Sequence, residues 1–256
     1  MQPVLLGETG LNVSPLNFGT GTNGWGGKSM QTGLGHRQFV DLLEYAAEQG
    51  VTFWDSADQY GSHSHVKDAL RRVGREKIVV TTKTVARTEQ DAAKDIDRFR
   101  RELGVDQLDI VLLHCLFDPE WPTPYRPVMD ALTRAQQRGH VRALGVSCHN
   151  FGAFERAATE PWVEVVLARI NHANSHMDAE WEEVAGVLRK MRAAGKGVYG
   201  MKVMGAGDLA STPEKNLRFV FGLGCVQAVT IGMTSREQID QNVALMKAVQ
   251  AGIPVG

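Results

Sequence analysis

Two periods alternate along this chain. Short apolar runs rich in β-branched residues recur, and each is followed by a longer stretch whose apolar positions return at helical spacing. The runs are PLNFGT (15–20), VTFWD (51–55), KIVVTTK (77–83), LDIVLLH (108–114), VRALGVS (141–147), VEVVLARIN (163–171), GVYGMK (197–202) and VQAVTIG (226–232). They predict eight strands. The intervening pattern predicts helices over 36–49, 63–74, 88–104, 125–139, 178–195 and 234–250, with shorter ones at GAFERAA (152–158) and PEKNLRFVFG (213–222). Gly104 closes DAAKDIDRFRRELG as a helix C-cap. At the N-terminus, VLLGETGLNVS places turn residues between two short apolar stretches and predicts a hairpin.

Eight strand–helix units have two common solutions, a closed parallel barrel or a doubly wound open sheet. An open dinucleotide-binding sheet carries G-x-G-x-x-G between its first strand and helix. The stretch after the first run, GTGTNGWGG, is glycine-rich but lacks that spacing before a helix. The length, 256 residues, matches one (β/α)8 barrel. No linker or low-complexity segment divides the chain. The expected fold is therefore a single (β/α)8 TIM barrel over 1–256, preceded by the hairpin.

The predicted strands end in polar residues: Asp55, Lys83, His114, Ser147, Asn171 and Lys202, each about one βα unit from the next. Parallel strands of a barrel point one way, so these six side chains are expected at one mouth, the face on which barrel enzymes work. Side-chain parity agrees. If Asp55, Lys83 and His114 point inward, so do Phe53, Thr81 and Leu112, which gives polar tips on a mostly apolar interior. Taken singly, Asp55 also fits a helix cap, Lys83 a surface lysine and His114 a core histidine. Three such residues on consecutive strands are harder to obtain by accident. An Asp55–Lys83 pair compensates the burial of each partner. Tyr60, in the loop DSADQYGS, can fold back over that pair. The ammonium favours the phenolate of a group whose pKa is otherwise about 10, so Tyr60 suits a general acid, with His114 donating a hydrogen bond to the same oxygen.

Composition removes several function classes. A formal net charge of −1 offers no basic excess for nucleic acid. No apolar run is long enough to span a membrane. Residues 1–15 show no charged start and apolar core, so no export signal is expected. Three cysteines, Cys115, Cys148 and Cys225, form no CxxC pair and fit a reducing cytoplasm. Cys115 reads as a small apolar residue at a strand end. The pairs His63/His65 and His172/His176 do not assemble three or four converging ligands, so no metal is expected. His63 is placed to touch substrate instead.

At these residues the chain resembles the aldo-keto reductases along nearly its whole length. GETGLNVSPLNFGTG, DSADQYG, TTKT, LLHC, GHVRALGVS, RIN and EQIDQN carry the likeness. The resemblance implies a catalytic set of Asp55, Tyr60, Lys83 and His114. It implies an extended nicotinamide dinucleotide across the mouth and a small-molecule aldehyde or ketone as substrate. Ser147 and Asn171 map onto its contacts with the cofactor carboxamide. Gly19, Thr20, Gly21 and Asp55 are read as further cofactor contacts. Met201 stands where the family stacks an aromatic ring on the nicotinamide, and Cys148 where an asparagine is usual. Lys202, with Gly205 and Gly207, is placed to approach the pyrophosphate. IGMTSREQIDQN lacks the family's Lys-Ser pair, leaving Arg236, Gln238 and Asn242 near a helix start that suits an anion. Arg236 is placed to pair a 2′-phosphate, which favours NADP(H) over NAD(H). Trp25, Trp121 and Tyr125 are candidates to line the substrate pocket. The chain stops at AGIPVG, where many relatives continue with a longer segment, so a more open pocket is expected. Two other functions fit part of the pattern: a regulatory subunit that binds dinucleotide without catalysis, and a Schiff-base lyase using Lys83 or Lys202. The sequence does not set the oligomeric state.

Overall fold

A computed structural model describes residues 1–252. The expectation drawn from the chain's end falls partly on residues 253–256, outside the described residues. Among the described residues, ten strands and eight α-helices follow one another. The strands are β1 (Val4–Leu5), β2 (Asn12–Val13), β3 (Leu16–Gly19), β4 (Phe53–Asp55), β5 (Val79–Thr84), β6 (Leu108–Leu116), β7 (Val141–Cys148), β8 (Val165–Arg169), β9 (Gly197–Met201) and β10 (Ala228–Gly232). The helices are α1 (His36–Glu48), α2 (His63–Val73), α3 (Glu89–Leu103), α4 (Arg126–Gln137), α5 (Phe151–Thr159), α6 (Trp181–Ala193), α7 (Pro213–Gly222) and α8 (Arg236–Gly252). Strands β3 to β10 close into a parallel barrel in chain order, with β10 pairing β3. The expected (β/α)8 fold is the observed one, and β1 and β2 form the expected antiparallel hairpin.

Strand parity explains the two-layered core. On β4, Phe53 packs inside the barrel and Trp54 outside against helices. Ile110 and Leu112 face in while Val111 and Leu113 face out, and β8 repeats this with Val165 and Leu167 against Val166. Helices supply the matching face: α1 buries Phe39, Val40, Leu42, Leu43 and Ala46, positions that share one side of a 3.6-residue repeat.

The hairpin closes the bottom. Leu6, Leu11 and Val13 are buried against the interior cluster. The Glu8 N–H donates to the Gly195 carbonyl at 2.8 Å, just before β9. Burying three aliphatic side chains contributes roughly 5–8 kcal/mol, enough to offset much of the cost of ordering a short hairpin. With the N-terminal end plugged, only the C-terminal mouth is left for chemistry. None of the helices is long and apolar enough to cross a membrane among the described residues.

Candidate active site

Adjacent strands β4, β5 and β6 deliver Asp55, Lys83 and His114 to the mouth with their side chains inward. Lys83 is fully buried and Asp55 is 4% exposed. Each needs a partner, because an unpaired buried charge is costly. The Lys83 ammonium uses all three of its N–H groups. It donates to Asp55 Oδ1 at 2.5 Å, to the Ser56 carbonyl at 2.8 Å and to the Tyr60 hydroxyl at 3.4 Å. Burial alone pushes the amine down, but Asp55 and Tyr60 outweigh it and hold its pKa above the ordinary lysine range.

Tyr60 arrives from the loop after β4, in a 3-10 turn over Asp58–Tyr60. Gly61 ends that turn at φ +65, and a Cβ there would meet the Gly27 carbonyl oxygen at 2.1 Å. Only glycine meets both demands. The Tyr60 ring lies against Gly21, where a Cβ would stand 2.2 Å from a ring carbon. Gly21→Ala is therefore expected to displace the phenol and lower turnover at least tenfold, with the melting temperature little changed. Steady-state kinetics beside a thermal melt checks this. Burial is the largest influence on the phenol and raises its pKa above the usual 10; Lys83 opposes the rise without cancelling it. The sequence suggested a phenol tilted toward phenolate. The structure gives a phenol that stays protonated at neutral pH, because desolvation is the larger effect.

His114 completes the group, with Nε2 at 3.5 Å from the Tyr60 hydroxyl. Burial, then the charge of Lys83, then His149 hold its pKa down at about 2, so the imidazole is neutral. Its position depends on an irregularity in β6. Pairing with β7 shifts between Leu113 and Leu116, and Cys115 takes a left-handed φ of +60. Such bulges re-aim neighbouring side chains. The Cys115 N–H donates to Ser147 Oγ at 3.2 Å, which ties the bulge to β7. Cys115 itself is half-buried, 3.6 Å from His149 Nε2.

A cleft of about 500 Å³ runs from Asp55 and Tyr60 to the start of α8. Gly19, Gly21, Met201, Lys202, Gln238 and Asn242 line it. Among the described residues, Asp55 and Lys202 are the only charged ones lining it; Asp55 is paired, whereas Lys202 makes no ion pair. The remaining predicted contacts lie elsewhere. Thr20 is fully buried, its hydroxyl bonded to the Asp55 carbonyl and to Ser62 Oγ, so it braces the β3–β4 junction. Asn171 lies beyond the end of β8, and its amide is saturated. Its Nδ2 donates to the carbonyls of Ser175 and Lys202, and its Oδ1 accepts from the N–H groups of Ala173 and Ser175. It shapes a loop and has no free capacity for a carboxamide. Ser147 is buried, and with its oxygen accepting from Cys115 its O–H remains free to donate. Arg236 lines a separate groove between the starts of α1 and α8, its guanidinium 4.6 Å from the centre of the Tyr45 ring.

Among the pocket candidates, Trp25 is 60% exposed with its ring 6.0 Å from His114, at the mouth. Trp121 is fully buried and bonded to the Ala153 carbonyl, and Tyr125 is 6% exposed under Arg87. Both pack in the outer core. His63 does not reach the mouth: its ring is clamped between Glu102 and Thr82, at 2.7 and 2.8 Å, behind β5. Two residues went unnoticed in the sequence. Leu167 lines the cleft beside Met201. Tyr199, buried in the barrel, donates to Asp55 Oδ2 at 2.8 Å. Parity was the available signal: Met201 facing the cleft puts Tyr199, two residues earlier, on the same side.

Known proteins agree with this architecture. A Glycine max protein named as an aldo-keto reductase is 30% identical over 159 residues, covering 57% of this chain and 45% of its own length. An aldo-keto reductase of Alternaria alternata is 26% identical over 264 residues, covering 87% of this chain and 70% of its own length. The chain thus spans less than half of the first relative. Among solved structures, an aldo-keto reductase of Bacillus halodurans in its holo form superposes with a TM-score of 0.76 at 17% identity, covering 100% of this chain and 93% of that one. At that identity the likeness speaks for the fold. The Aldo/keto reductase family model matches residues 15–222, and the chain belongs to the aldo/keto reductase family.

Proposed function

We propose that this chain reduces an aldehyde or ketone to an alcohol, using a nicotinamide dinucleotide, with Tyr60 as the general acid. One observation carries the reading: the Tyr60 hydroxyl lies within 3.5 Å of both Lys83 Nζ and His114 Nε2 at the end of an elongated cleft. The residues present fit such a cofactor. Lys202, which makes no ion pair among the described residues, suits a pyrophosphate, Met201 offers a thioether to a ring face, and Gln238 and Asn242 offer hydrogen bonds at the far end. When bound, the reduced nicotinamide supplies a hydride to the carbonyl carbon.

The chain's own residues handle the negative charge that develops on oxygen. Tyr60 donates its proton to that oxygen, and in its Nε2–H tautomer His114 donates a hydrogen bond to the same atom. The phenolate left behind faces the Lys83 ammonium at 3.4 Å. At an effective dielectric near 20 that attraction is worth about 5 kcal/mol. It is absent while the phenol is neutral, so it favours the transition state over the ground state. Asp55 keeps Lys83 charged and aimed. The lyase alternative through Lys83 loses its basis, because a fully buried ammonium with a raised pKa and three engaged N–H groups is a poor nucleophile.

The reading also takes the whole chain as one barrel domain and places it in the cytoplasm, where its three free cysteines stay reduced. The preference for NADP(H) rests on Arg236 leaving Tyr45 for a 2′-phosphate. Titration with NADPH and NADH, followed by a panel of aldehydes and ketones, tests these points. Tighter NADPH binding and loss of cofactor absorbance with at least one carbonyl are expected. Tighter NADH binding removes the NADP(H) preference. Tight binding with no turnover across the panel favours the regulatory subunit.

A further inference from the structure

Resting on that reading of the site, we propose that Tyr199 is a positioning residue for the reduction: its phenol reaches across the barrel and holds Asp55, and through it Lys83, in the arrangement Tyr60 needs. In the closed sheet β9 is separated from β4 by β10 and β3, so the contact spans the interior. Tyr199 is fully buried, its ring centre 5.2 Å from that of Phe53. Ala228, paired with Tyr199 across β9 and β10, and Ala143 belong to the same interior cluster, and their small side chains suit a ring of that size. A phenol there is costly unless its O–H has a partner. The partner is Asp55 Oδ2, at 2.8 Å. Burial raises the Tyr199 pKa well above 10, so it remains a donor throughout any working pH range.

This divides the Asp55 carboxylate between two donors, Tyr199 on Oδ2 and Lys83 on Oδ1. The division matters because Lys83 has no spare N–H. Without Tyr199, Oδ2 turns for compensation to the nearest charged donor, which is Lys83. Of that ammonium's three contacts, the one to Tyr60 is the longest, 3.4 Å against 2.5 and 2.8 Å, and it yields first. The ammonium then stabilises the phenolate less, while the less neutralised carboxylate opposes it more. Both changes make Tyr60 harder to deprotonate.

Tyr199→Phe keeps the ring and removes only the hydroxyl. Expected results are a fall in kcat of about tenfold, a carbonyl KM within twofold of wild type, and an upward move of at least half a pH unit in the rise of alcohol oxidation, where Tyr60 acts as base. In an Asp55→Ala background, which offers the Tyr199 hydroxyl no acceptor at that position, the same substitution is expected to cost less than a further twofold, since two residues acting through one contact do not add. A readout independent of activity is the 15N resonance of the Lys83 ammonium in lysine-labelled protein without cofactor, assigned by its loss in Lys83→Met. It is expected to shift or broaden in Tyr199→Phe. If that signal changes but wild type reduces no carbonyl, the reductase reading fails while the strut between Tyr199 and Asp55 stands. If wild type is active and Tyr199→Phe retains its kcat within twofold with the oxidation profile unmoved, the proposal is overturned, whatever the resonance does.

Discussion

Tyr60→Phe is expected to lower carbonyl turnover about a thousandfold, the middle of the range for a lost general acid and equivalent to about 4 kcal/mol of barrier. The ring survives the change, so its packing on Gly21 and the seat of Lys83, 4.7 Å from the ring centre, are retained. Cofactor affinity is therefore expected to stay within about twofold, with the loss falling on kcat. His114 does not substitute as the acid. Its pKa of about 2 marks a neutral ring over the working range, and a neutral imidazole N–H is a far weaker acid than a phenol. For the same reason neither enzyme should show a His114 limb between pH 5 and 8. Single-turnover absorbance measurements across that range check both points. A variant within tenfold of wild type would assign the acid role to another group.

The four residues proposed to act on the carbonyl were legible because strand geometry governs them. Asp55, Lys83 and His114 sit at or near strand ends, where period-2 parity decides which way a side chain faces, and Tyr60 follows at short range. Where regular backbone stops, parity loses its authority. The apolar pattern predicts a strand running to Asn171, but β8 stops at Arg169 and the amide turns into its own loop. Thr20 is likewise one residue past β3, and its hydroxyl is drawn to Ser62. Arg236 opens α8, and its direction is set by Tyr45 on α1, a neighbour brought close only by the closed barrel. The left-handed Cys115 had no sequence signal, since a non-glycine bulge depends on tertiary support from Ser147. Tyr199 was legible and overlooked, because an interior tyrosine resembles any other core aromatic until its partner is seen.

Lys83→Met separates the stability of this site from its chemistry. Removing the ammonium leaves the Asp55 carboxylate 4% exposed with Tyr199 as its remaining side-chain donor. Breaking one side of a buried ion pair costs about 3–5 kcal/mol, and for a chain of this size that lowers Tm by roughly 6–20 °C. Turnover should fall at least a hundredfold as well, because the phenolate of Tyr60 loses the charge that stabilises it. Adding Asp55→Asn removes the stranded charge while leaving an amide oxygen for the Tyr199 hydroxyl. The double variant is expected to recover at least half of the lost Tm and none of the lost turnover. A single variant melting with wild type would mean the pair is not buried as described. Recovery of turnover along with Tm would mean that Lys83 serves only to neutralise Asp55. The expected split, with stability returning and rate not, follows from the two tasks of one ammonium: it compensates a carboxylate in the resting protein and a phenolate only during reaction.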